Sequence, residues 1–153
     1  MTSWRALLLT AVLAAMGTGC AHTIQRVPLP DQSRLLSDPN HARIYIMRPT
    51  MEGGPLRMQL WDGPTWIGSI GQYGYVCWER SPGQAVLRSL APGNNSTTLP
   101  LECAKGGTYY VEQAFILRGG LQGTVLRMRP ESEGKRLLAE CSAPDVRPAP
   151  EGR

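Results

Sequence analysis

Thr108-Tyr109-Tyr110-Val111-Glu112-Gln113-Ala114-Phe115-Ile116-Leu117-Arg118 is the stretch on which the reading of the fold turns. Tyr109, Val111, Phe115 and Leu117 fall on one side of a two-residue period, as in a strand with one buried face. Gly106-Gly107 and Gly119-Gly120 bound the run, supplying turn residues at both ends. The same period extends in both directions. In Ala42–Arg48, Ile44 and Ile46 face one way and Tyr45 and Met47 the other, with Pro49 closing the strand. Leu56–Trp61 sets Leu56, Met58 and Leu60 against Arg57, Gln59 and Trp61, and Asp62-Gly63 turns the chain into Thr65–Ile70. Tyr73–Arg80 and Gln84–Leu90 flank Ser81-Pro82-Gly83, and Pro92-Gly93-Asn94-Asn95 leads into Thr97–Cys103, with Leu99, Leu101 and Cys103 on one face. Gly123–Arg129 is a further strand, and Arg136–Cys141 is either a last strand or a short helix, of which helix is preferred.

Seven or eight short strands separated by Gly and Pro turns specify an all-β fold, an antiparallel β-sandwich, with a short helix at its C-terminal end. The 17 glycines and 13 prolines among 153 residues suit many turns and oppose long helices. Strands do not alternate with helices, which argues against a doubly wound nucleotide-binding sheet. The domain is expected to span residues 42–141. Residues 142–153 hold Pro144, Pro148 and Pro150 and read as a disordered tail.

The N-terminus is a different population. Arg5 precedes the apolar run Ala6–Met16 and the small cluster Gly17-Thr18-Gly19-Cys20, the layout of an export signal spanning residues 1–19. The run is too short to cross about 30 Å of hydrocarbon. Small residues before Cys20 are similar to the lipobox of bacterial lipoproteins, which implies a lipid thioether on Cys20 after cleavage. Gly17 departs from the branched apolar residue usual there, so cleavage after Ala21 to a soluble secreted product is the alternative. Residues 20–41, with Pro28, Pro30 and Pro39, read as a flexible tether. Ala21, where an aspartate would retain a lipoprotein at the inner membrane by analogy with sorting rules, implies the outer membrane, facing the periplasm.

The formal charge of +4 becomes +3 once Arg5 leaves with the signal. Fourteen of the 16 basic residues are arginines, spread from Arg5 to Arg153 without a cluster, so no nucleic-acid partner is expected.

Taken in order, Ala42–Pro49, Leu60-Trp61-Asp62-Gly63 with Ile67-Gly68, Tyr75 to Trp78, Pro82-Gly83, Gly107–Val111, Glu133-Gly134 and Cys141 resemble an uncharacterised bacterial lipoprotein family, domain of unknown function 2846. The resemblance implies an N-terminal lipobox and a β-sandwich, and implies no activity.

Chemistry-bearing residues are sparse. His22 and His41 fall in the tether, and no P-loop, G-x-S-x-G or H-E-x-x-H occurs, so neither a metal nor a cofactor is expected. Glu79, Glu102 and Glu112 lie in strands as solvated residues or as partners of Arg48 and Arg88. With Cys20 lipidated, Cys77, Cys103 and Cys141 remain. One disulfide and one free thiol are expected, and Cys77–Cys103 is preferred of the three pairings because both cysteines precede a glycine turn from strands taken as central; the alternative is a set of buried reduced thiols acting as small hydrophobes. Trp61, Trp66 and Tyr73, with Tyr75 and Trp78 close by, are candidate binding aromatics for an envelope protein or glycan; their alternative is the core. The function expected is a lipid-anchored, non-enzymatic binding or scaffolding module of the cell envelope. An envelope hydrolase using strand carboxylates is the alternative.

Overall fold

The computed structural model describes residues 38–93, 95–118 and 120–141. The expected signal, Cys20, His22, most of the tether and the 142–153 tail lie outside the described residues. Eight strands and one helix follow in order: β1 (Ala42–Arg48), β2 (Met58–Asp62), β3 (Thr65–Ile70), β4 (Gly74–Arg80), β5 (Gly83–Leu90), β6 (Ser96–Cys103), β7 (Thr108–Arg118), β8 (Leu121–Arg129) and α1 (Glu131–Ala139). Two four-stranded sheets form, ordered β4-β1-β7-β8 and β3-β2-β5-β6.

Alternation decides what lies between them. Ile44 and Ile46 of β1, Val76 and Trp78 of β4, Val111 of β7 and Leu126 of β8 meet Leu60, Ile67, Ala85, Leu87 and Leu101 in one buried cluster. Each buried aliphatic or aromatic side chain contributes about 1.5–3 kcal/mol. A bulge between Leu60 and Trp61 moves the β2–β3 register by one, so Trp61 comes to face Trp66.

One pair departs from the all-antiparallel expectation: β1 and β7 run parallel, Arg43 opposite Thr108 and Met47 opposite Glu112. The cause is the turn before β7. Gly106 N–H donates to His41 C=O at 2.9 Å and Arg43 N–H to Gly107 C=O at 2.8 Å, so β7 starts beside the start of β1. His41 is fixed there too, its Nδ1 2.8 Å from Asp38 Oδ2. The helix begins at Glu131, five residues before the start expected from sequence, with Glu131 and Glu133 near its positive end.

At the far end of β1 the fully buried Arg48 points into the sandwich. Its guanidinium donates to the backbone carbonyls of Leu56 (2.5 Å), Gly54 (3.3 Å) and Glu52, fastening the loop between β1 and β2. Gly53, at φ +78°, sits where a Cβ would fall 2.6 Å from the Phe115 ring. Between the sheets Gln113 Nε2 donates to Ser89 Oγ at 2.5 Å, and Ser89 Oγ lies 3.0 Å from Thr124 Oγ1. This polar link ties the sheets together inside a layer that is apolar apart from it and Arg48.

Candidate functional site

The sheets' outward faces differ. On the β4-β1-β7-β8 sheet, Tyr45, Met47, Cys77 and Tyr110 join Leu137 of α1 in a second buried cluster, flanked by Tyr75, Leu138 and Cys141. Tyr45 and Tyr110 stack with ring centroids 5.3 Å apart, and Tyr75 lies tilted 6.3 Å from Tyr45. Gly134 lets the helix backbone approach Tyr110; a Cβ there would fall 2.8 Å from Tyr110 Cδ1 and nearer still to Cβ and Cγ. This outer face is covered by the chain's own helix.

The other outer face, on β3-β2-β5-β6, lies across the sandwich from α1, the one helix among the described residues. Trp61 sits opposite Trp66 of β3 on one side and opposite Arg88 of β5 on the other. Thr98 of β6 continues the row beyond Arg88. The Arg88 guanidinium carbon lies 5.1 Å from the Trp61 ring centroid, a cation–π contact. Trp66 is 2% exposed, Trp61 and Arg88 are half-buried, and Thr98 is exposed. Gln59 and Leu90 form the next pair on the same face, two register pairs along. Arg57 is held against β3, its Nη2 donating to Ser69 C=O at 2.7 Å and its Nε to Ser69 Oγ at 3.2 Å.

Among the described residues, Arg88 differs from the other half-buried or buried arginines. Arg43 donates to Glu79 at 2.6 Å, Arg80 to Asp62 at 2.8 Å and Arg129 Nε to Glu112 at 2.8 Å. Arg48 and Arg57 are held by carbonyls and a hydroxyl, as above. The guanidinium of Arg88 has no hydrogen-bond partner among the described residues and rests on Trp61 alone.

The aromatics expected to act together are divided. Trp78 is core, 1% exposed, with its Nε1 donating to Asp62 at 3.3 Å. Tyr75 belongs to the helix-covered face. Tyr73 is 39% exposed in the β3–β4 turn, at φ +49°, away from the Trp61 row. Only Trp61 and Trp66 are brought side by side.

The carboxylates have partners other than those expected. Glu79 pairs with Arg43 and Glu112 with Arg129, in place of Arg48 and Arg88. Register explains it: Glu79 faces Arg43 across β1–β4, and Tyr110, two residues before Glu112, faces Arg129 across β7–β8. Glu102 is exposed on β6, opposite Gln84. Glu79 and Glu112 also stand far apart. Their positions on the sheet match Arg43 and Met47, four residues along β1, or about 13 Å. Paired-carboxylate glycosidases need roughly 5–9.5 Å. Among the described residues no group of three His, Cys, Asp or Glu side chains could hold a metal ion.

The expected Cys77–Cys103 disulfide is corrected. Both are free thiols, and they belong to different clusters. Cys103 faces the interior between the sheets, whereas Cys77 points outward from β4 beneath the helix. The two strands are edges of different sheets, not neighbours in the centre of one. Cys141, beside the same cluster as Cys77, places its Sγ 3.5 Å from Leu137 C=O and is also a free thiol. Burial pushes the Cys77 thiol up to about 12 and the Cys141 thiol up to about 11.

Sequence alone missed Arg88. Its signal is the β2–β5 register that puts it opposite Trp61, a pairing between strands remote in the chain. No protein-family model, no curated protein and no solved structure matches the chain.

Proposed function

We propose that the protein is a lipid-anchored, non-enzymatic binding module of the cell envelope, with the outer face of the β3-β2-β5-β6 sheet as its binding surface. The observation that carries this reading is the asymmetry of the two outer faces. One is closed by α1 over Tyr110. The other presents Trp61 and a guanidinium without a hydrogen-bond partner among the described residues. A module whose task is binding needs a rigid, accessible surface with few oriented groups, and the β5–β6 half of this face, exposed at Gln84, Val86, Thr98 and Pro100, provides one. Engagement of Glu79 and Glu112 by arginines, far apart, weighs against the hydrolase alternative. The anchor rests on the export pattern of residues 1–19 and the small residues before Cys20. The motif order that resembles the lipoprotein family points the same way. The outer membrane, facing the periplasm, is the location this reading assigns.

Two measurements in cells test it. Labelled palmitate should enter the wild-type chain and not Cys20→Ser; label retained by that variant would overturn the anchor. In-cell crosslinking should yield adducts with the wild-type chain that disappear in Arg88→Gln while the protein level holds. Adducts unaffected by that substitution would overturn the assignment of the face.

A further inference from the structure

We infer that the β5–β6 half of this sheet face, exposed at Gln84, Val86, Thr98 and Pro100, binds an acidic polysaccharide, with Arg88 as receptor for its carboxylate or sulfate group and Trp61 as the platform that fixes Arg88. The inference rests on the binding reading above and names the ligand class. It begins from the state of Arg88. A guanidinium offers N–H donors in a planar fork that matches an oxyanion two bonds at a time. In Arg88 that fork is already oriented, 5.1 Å over the Trp61 ring, so little freedom is lost when an anion arrives. No acidic residue among the described ones competes for it. Glu102 is the acidic residue on the same strand face of β6. It lies four register pairs further along, opposite Gln84 where Arg88 is opposite Thr98, or about 13 Å away.

Neighbouring groups decide between a sugar polymer and an acidic protein. Beside Arg88 stand Thr98 and the indole of Trp61; the next pairs on this face bring Gln59 and Ser96 around Leu90, and Val86 opposite Pro100, so amide and hydroxyl groups suited to sugar hydroxyls alternate with small apolar ones. A protein partner would need an apolar centre within about 800 Å² of contact. Val86, at 44% exposure, is the one large apolar residue of this face that is strongly exposed. The charge sign of the row, an arginine without a carboxylate, selects an anionic chain over a neutral one.

The full mature chain is titrated, by tryptophan fluorescence, with polygalacturonate, dextran sulfate, neutral dextran and poly-glutamate. The expected result is binding to at least one of the two acidic polysaccharides, weakening with added salt, and none to neutral dextran. Arg88→Gln should weaken binding about tenfold or more, with an unchanged melting temperature. Trp61→Leu should weaken it as well, through loss of the platform. Poly-glutamate binding as tightly as the polysaccharides, or neither polysaccharide binding, would overturn the ligand class. If the in-cell adducts still depend on Arg88 in that event, the face stands and only the ligand falls. If those adducts are independent of Arg88 as well, the binding reading falls with it.

Discussion

Replacing Gly134 by alanine should destabilise the protein, although alanine is the better helix former. Gly134 lies within α1, where alanine is favoured over glycine by about 1 kcal/mol. Against this, the added Cβ would fall 2.8 Å from Tyr110 Cδ1 and closer to two further Tyr110 atoms. Carbon atoms in contact sit about 3.5–4.0 Å apart, so the helix must rise or Tyr110 must turn. Tyr110 is not free to turn, because it stacks on Tyr45 at 5.3 Å. Overpacking of this kind costs roughly 1–3 kcal/mol, and lifting the helix also loosens Leu137 and uncovers Cys77. The net expectation is a loss of about 1 kcal/mol, which for a domain near this size lowers the melting temperature by about 4–8 °C. The assay is thermal unfolding of the mature chain by far-ultraviolet circular dichroism, with Ser132→Ala as control. Ser132 is exposed on the same helix, so that change meets only the propensity gain. Should Gly134→Ala raise the melting temperature as Ser132→Ala does, the close docking of α1 on Tyr110 is wrong. The reason for calling this outer face covered would go with it.

Four further outcomes follow from the same structure. Cys77, folded with its thiol pushed up to about 12 from an ordinary 9.0, favours the native state as the neutral thiol. Its contribution is therefore complete below about pH 9 and lost as pH rises toward 12; urea midpoints should fall across that window, and less in Cys77→Ala. Burial raises Tyr45, Tyr75 and Tyr110 in the same direction, so an alkaline-insensitive midpoint would contradict the buried cluster. Glu79→Gln strips the nearly buried Arg43 of its carboxylate and should cost about 3 kcal/mol in urea unfolding, while polysaccharide binding persists. Tyr73→Gly relieves the left-handed backbone at φ +49° and should stabilise by about 1 kcal/mol without altering binding; a loss of stability would show that the side chain is needed in that turn. Arg48→Lys removes the fork that holds the Glu52, Gly54 and Leu56 carbonyls, so limited proteolysis should cut within the β1–β2 loop sooner than in the wild type.

Much of the fold was legible because strand alternation is local. The bounds of β1, β3 and β7 follow directly from the two-residue period and from Pro49, Gly63 and Gly107. The division of Ile44 and Ile46 from Tyr45 and Met47 reappears as two separate clusters. Pairing is not local. The parallel β1–β7 ladder depends on the backbone bonds Gly106 N–H to His41 C=O and Arg43 N–H to Gly107 C=O, which no periodicity reveals. The same limit misplaced the cysteines and the salt bridges. Val76 and Trp78 already marked one side of β4, which puts Cys77 on the other. Only the sheet order shows that Cys103 then lies across the sandwich and that Arg43 stands opposite Glu79. Trp61 was visible as a candidate, but its partner Arg88 waited on the β2–β5 register.

The central claim is that one outer face is occupied by α1 and that the exposed β5–β6 half of the other receives a ligand. Its most direct test places a photoreactive residue at Val86, on that exposed half, or at Ser132, on the solvent side of α1, in cells carrying the otherwise native chain. Irradiation should give a slow-migrating, glycan-positive adduct from position 86 and none from position 132. Adducts from 132 alone, or none from either position, would contradict it.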